Sequence, residues 1–151
     1  MKIILGAILS AGCAISSVAQ GPVAAHVFTI NIRVENPVMK AGSDVFIKVQ
    51  MINTSKQVID CTMAPSNVTG ADRKYQYRVR DGAGNPAKEL PIDRKHDGGS
   101  IWPCTLEPGR NTPPRDNLIS RMYDFTSPGK YFVRVARGDV KSNTITITVT
   151  P

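Results

Sequence analysis

The sequence predicts an all-β domain, an antiparallel sandwich of about seven strands. Three observations predict it. From Val27 onward, hydrophobic residues recur at every second position in one segment after another. No window keeps a convincing helical period. Gly and Pro, 12 and 11 in number, fall between the alternating segments and supply the turns that short strands need.

The strands follow a leader. The segment MKIILGAILSAGCAISSVA has one cation, Lys2, then an uncharged apolar run, with Ser17 and Ala19 on either side of Val18. That layout predicts a secretory signal peptide over residues 1–19, a short linker over 20–26 and a domain over 27–151. The run is too short and too weakly apolar at its end for a transmembrane anchor, and no later stretch is apolar enough to span a bilayer. LSAGC resembles a bacterial lipobox with Cys13 as the lipid-bearing residue, although Leu9 stands one position too early for a full match. A lipid on Cys13 would tether the domain without a spanning helix.

The domain then reads as strands in order. VFTINIRVE sets Phe28, Ile30, Ile32 and Val34 on one face, and Thr29, Asn31 and Arg33 on the other. NPVMKAGSD, with Pro37 and Gly42, reads as a turn. DVFIKVQMIN sets Val45, Ile47, Val49 and Met51 inward. KYQYRVRD sets Tyr75, Tyr77 and Val79 inward, and Gln76, Arg78 and Arg80 outward. RDGAGNPAKE is hairpin punctuation. DNLISRMYDF reads as a strand followed by a crossing turn. KYFVRVAR and NTITITVT, the last hairpin, set Tyr131, Val133 and Val135, then Ile145, Ile147 and Val149, inward. Such alternation marks strands with one buried and one wet face. Residues 60–73 and 91–114 are the least regular.

Those two irregular stretches hold Cys61 and Cys104, the cysteines left once the leader is removed. Export into an oxidising compartment predicts a disulfide between them. Removing the leader also removes Lys2, leaving 18 basic against 12 acidic side chains, a net charge near +6. A cationic exported domain suits anionic envelope polymers or headgroups. Spread along the chain as they are, the cations suit plain solubility as well.

Three segments resemble bacterial immunoglobulin-like domains. PGKYFVRV is similar to their penultimate strand, KAGSDVFIKVQMINTS to their early core strand and SNTITITVTP to their terminal strand. The resemblance covers residues 27–151. It implies an immunoglobulin-like β-sandwich and makes Tyr131 a candidate for a corner hydrogen bond to nearby backbone. Two further segments, YQYRVRDGAGNP and TLEPGR, look like turns of the intracellular proteinase inhibitor (BsuPI-type) family. That second resemblance implies a sandwich of similar length and an inhibitor function, without naming inhibitory residues. The leader departs from an intracellular protein.

The chemistry of enzymes is sparse. The histidines are His26 and His96, and DRKHDGG gathers Asp93, His96 and Asp97 at the spacing of a polar loop. Phosphate-loop, nucleophile-elbow, zinc and calcium signatures do not occur. The expectation is no enzyme, no cofactor and no metal. Asn53 and Asn67 lie in Asn-x-Ser/Thr sequons, which matter only in a eukaryotic secretory pathway, and the leader is bacterial in style. Trp102, the single tryptophan, either packs over the disulfide, as its neighbours Pro103 and Cys104 favour, or anchors a partner. Arg73, Lys74, Arg78 and Arg80 form a basic stripe with Tyr75 and Tyr77 behind it. Nucleic acid needs aromatics beside the cations, so nucleic acid is not expected as partner. Arg137-Gly138-Asp139 invites an adhesion-motif reading, but a hairpin tip needs such residues anyway. The sum is an exported, non-enzymatic module that binds a protein or polysaccharide at the envelope, with Trp102, Arg78 and Arg80 as partner-binding candidates. A proteinase inhibitor and a purely structural accessory domain are the alternatives.

Overall fold

The computed structural model describes residues 26–92 and 98–151. The expected leader with Cys13, and Asp93, His96 and Asp97, lie outside those residues. Ten strands follow one another: β1 Phe28–Arg33, β2 Val38–Lys40, β3 Phe46–Asn53, β4 Ile59–Asp60, β5 Gln76–Asp81, β6 Thr105–Leu106, β7 Arg115–Leu118, β8 Gly129–Arg137, β9 Val140–Lys141 and β10 Ile145–Thr150. A first sheet has the order β1-β3-β7. A second has the order β2-β10-β8-β5, with β9 added to β8. A third, β4-β6, is a two-stranded patch.

The first two sheets face each other across the core, as an all-β sandwich requires. Ile32 and Ile47 come from one side, and Val133, Val135 and Ile147 from the other, all fully buried. The alternation in sequence produces this directly, since period two places every second side chain on the buried face. Each buried aliphatic residue contributes about 1.5–3 kcal/mol relative to exposure.

Four strands escape the alternation because they are two or three residues long. One of them corrects the reading of NPVMKAGSD as turn alone. Val38–Lys40 pairs with Thr148–Thr150, and it does so in parallel, so the sheets are not purely antiparallel. Pro37 ends the run from β1, and its carbonyl accepts from the Thr148 N–H at 2.7 Å. DNLISRMYDF divides as expected, with strand Arg115–Leu118 followed by a 3-10 turn, Ile119–Arg121.

The closing hairpin has a two-residue tip, Gly138-Asp139, between β8 and β9. Gly138 sits at φ 58°, a conformation cheap for glycine and suited to a tight hairpin. A break separates β9 from β10. There the Ser142 hydroxyl takes the ladder position, accepting from the Val135 N–H at 2.9 Å. Asn143 turns its amide across to β1. It accepts from the Ile32 N–H and donates to the Ile32 carbonyl, both at 2.9 Å. One side chain thereby joins the end of the second sheet to the outer edge of the first.

Tyrosines make further ties. Tyr131 donates to the Ser127 carbonyl at 2.9 Å, the expected corner bond. Tyr77, on β5, donates to the Asn117 side chain of β7 at 3.0 Å, from one sheet to the other. Tyr123 donates to the Tyr77 carbonyl at 2.6 Å. Burial raises the pKa of all four phenols, Tyr75, Tyr77, Tyr123 and Tyr131, and raises Tyr77 most. A phenol whose folded pKa exceeds its unfolded value near 10 contributes its stability in full below pH 10 and loses it as pH rises beyond. For buried Tyr77 the loss is about 1.4 kcal/mol per pH unit. We therefore expect a cooperative alkaline unfolding in which tyrosinate absorbance and circular dichroism change together. Ionisation of all four phenols near pH 10 with the fold intact would contradict this.

Candidate binding face

The second sheet turns one surface to solvent. On β5 it presents Arg78 and Arg80. On β8 it presents Phe132 and Arg134, and the registers are Arg78 opposite Arg134 and Arg80 opposite Phe132. Lys141 of β9 lies opposite Ala136, whose small side chain leaves room beside it. These residues and Thr144 line a shallow depression of about 370 Å³.

Two of the cations there are oriented by neutral acceptors. Arg80 donates to the Gly84 carbonyl at 2.6 Å, which the turn at Asp81–Asn85 brings back to the strand. Arg134 donates twice to the Thr144 hydroxyl, at 3.1 and 2.9 Å. Among the described residues, Arg78, Arg80, Arg134 and Lys141 have no ion pair. Elsewhere Lys48, Lys74, Lys88 and Arg137 each have a carboxylate within 4 Å, while other exposed cations such as Lys56 and Arg110 have none among the described residues, so it is the clustering that distinguishes the face. The face therefore keeps its whole positive charge. Phe132 lies at one end of it, opposite Arg80 and 36% exposed. Tyr75 and Tyr77 do point the other way, as the sequence implies, yet β8 brings a different aromatic beside the arginines. The alternation in KYFVRVAR points Phe132 outward. Only the strand register sets it against Arg80.

The remaining expected site residues are placed elsewhere. Arg73 donates to the carbonyls of Ala64 and Gly99, and Lys74 lies 3.7 Å from Asp60. Both serve the irregular loops rather than the face. A Cβ on Gly99 would overlap the Pro65 carbonyl, so a glycine is needed where these loops meet. The Cys61–Cys104 disulfide is present, with a Cα–Cα separation of 4.9 Å. It packs with Met51 and Leu106.

Trp102 is not a buried core residue beside that bridge. It is 44% exposed, and the Arg115 guanidinium stacks on it with 4.5 Å to the ring centroid. Its backbone pairs with Met63, at 2.9 and 3.0 Å. Since Arg115 belongs to the first sheet, Trp102 is not brought together with Arg78 and Arg80.

The Arg137-Gly138-Asp139 triplet is constrained too. Arg137 is only 14% exposed in its side chain, lies 3.6 Å from Asp60, donates to the Thr62 carbonyl and stands over the Tyr75 ring. Hydrogen bonds from Thr62 hold the Asp60 carboxyl below the usual carboxylate range, and the nearby cations add to the effect. An adhesion motif needs its arginine free, and this one is engaged. The sequon residue Asn53 is likewise committed. Buried, its amide donates to the Gln57 and Leu106 carbonyls and its oxygen accepts from Ser55.

Among the described residues, no three His, Cys, Asp or Glu side chains gather as a metal site, and no helix is long and apolar enough to cross a membrane. The disulfide fits an oxidising, extracytoplasmic environment.

No protein-family model matches the chain, and no curated protein sequence does. Solved structures give distant likenesses. One is the alkylpurine DNA glycosylase AlkC of Pseudomonas fluorescens, at 12% identity and TM-score 0.47, of which the chain spans 31% while 83% of the chain is covered. A CARDB domain from Pyrococcus furiosus, crystallised with di-metal ions, gives 14% identity and TM-score 0.41, covering 82% of this chain and 87% of that one. The bacterial hydrophobin BslA gives 14% identity and TM-score 0.37, covering 87% and 99%. At this distance nothing that those proteins bind or catalyse transfers to the chain.

Proposed function

We propose that this protein is an exported, non-enzymatic, immunoglobulin-like module that binds a protein or polysaccharide at the cell envelope, through the outer face of the second sheet. The observation that carries the reading is the gathering of four cations on one sheet face, with Phe132 at its end and no carboxylate within 4 Å of them among the described residues. A face kept only for solubility gains nothing from arginines gathered beside an exposed aromatic ring. Arginine and aromatic residues are the side chains most often found at the energetic centre of an interface.

Immobilised protein is expected to retain a component from envelope fractions, and Arg78→Glu/Arg80→Glu is expected to lose it while remaining folded. Trp102→Ala should retain it, because Trp102 sits with the other sheet. Retention of nothing by the wild type, or equal retention by the double variant, would remove the binding reading.

A proteinase inhibitor is the second reading. The observation behind it is the loop Ile101–Pro103, exposed and stapled next to Cys104. Inhibitory loops offer their backbone to a protease as an added strand, whereas the Trp102 backbone is already paired with Met63. Absence of inhibition across a panel of serine proteases at micromolar concentration would end this reading.

A further inference from the structure

Resting on the binding reading above, we infer that the occupant of this face is a linear acidic polysaccharide whose sugar rings carry carboxylates. The charge comes first. Arg78 and Arg134 face each other across a strand pair, about 5 Å apart at Cβ. Arg78 and Arg80 are about 7 Å apart along β5. With Lys141 they form a grid of cations that a repeating anion can meet at several points at once. Guanidinium forks match planar carboxylates in two parallel hydrogen bonds.

The neutral groups select among polyanions. Phe132 stands between Arg80 on β5 and Thr146 on β10, an aromatic contact for the apolar face of one sugar ring. Thr144 and Thr146 are exposed beside it and offer hydroxyls to hydroxyls. A nucleic acid strand would call for several stacking rings, and this face has one. A lipid surface would call for apolar side chains that protrude past the cations. Phe132 instead sits among them, flanked by Arg80 and Arg134.

The test is calorimetric titration of the full exported domain with polygalacturonate oligosaccharides. Neutral dextran, a single-stranded DNA oligonucleotide and phosphatidylglycerol vesicles are run in parallel. Polygalacturonate is expected to bind, more weakly as salt rises, and the other three to bind at least about 10-fold more weakly. Arg78→Glu/Arg134→Glu should weaken binding about 100-fold. Phe132→Ala should weaken it about 5-fold with the salt dependence kept. Lys56→Glu/Arg110→Glu makes the same change in net charge away from the face and should leave binding unchanged.

An equal loss in that control pair would mean that net charge alone is read, and would overturn the inference. Tighter binding of DNA or vesicles would overturn it as well. Failure of polygalacturonate while an envelope component is still retained through Arg78 and Arg80 would overturn this inference and leave the binding reading standing.

Discussion

Replacing Cys61 and Cys104 together by serine is expected to lower the unfolding free energy by about 4 kcal/mol, and the melting temperature by about 15 °C. The bridge spans a sequence separation of 43 residues. Its removal frees the unfolded chain to explore conformations that the closed loop denies it. A folded-state effect adds to this. β4 and β6 have two residues each, and a strand pair so small does not hold in water alone. The serine variant should therefore lose hydrogen-exchange protection first around Thr105 and Leu106, before the main sheets. Thermal melts of the two proteins measure the first effect, and exchange measures the second. A difference below about 1 kcal/mol would mean that the loops are held by their own packing.

Tyr77→Ala is expected to cost about 4 kcal/mol, in the range for emptying a buried aromatic site. The ring belongs to the core, 8% exposed, and its hydroxyl crosses to Asn117, which is itself 3% exposed. Tyr77→Phe separates the two contributions. It keeps the ring and leaves the Asn117 oxygen without its donor, for about 1–2 kcal/mol. Urea midpoints of the three proteins would show the order wild type, phenylalanine, alanine. If Tyr77→Phe is as stable as wild type, the bond between the sheets contributes nothing.

How far the sequence carried the reader depends on distance along the chain. The six longer strands are legible because alternation is a local property, and Arg78, Arg80 and Tyr77 take their faces from it. β2, β4, β6 and β9 are too short for any period to register, and they exist because a distant strand pairs with them. The disulfide was legible from the expectation of export and from cysteine number. The surroundings of Trp102 were not, since Pro103 and Cys104 beside it in sequence say nothing of Arg115. The same holds at the binding face. Its arginines could be read one strand at a time, but the meeting of Arg80 with Phe132 and of Lys141 with Ala136 is a matter of register. Asn143, between two strands, carried no signal of its reach to Ile32.

That reach has a consequence for life at high concentration. The outer edge of β1 would otherwise offer Ile32 as a docking point for a foreign strand, and sheets extend across molecules from such points. Asn143 already occupies both polar groups there. On the other sheet, the Val79 carbonyl and the Asp81 N–H are taken by the returning turn at Ala87 and Asn85, and the Tyr77 carbonyl by Tyr123. A donor strand from a second copy must first displace the chain's own side chains and turn. At the β1 and β5 edges, then, a crowded solution offers a foreign strand backbone groups that are already engaged.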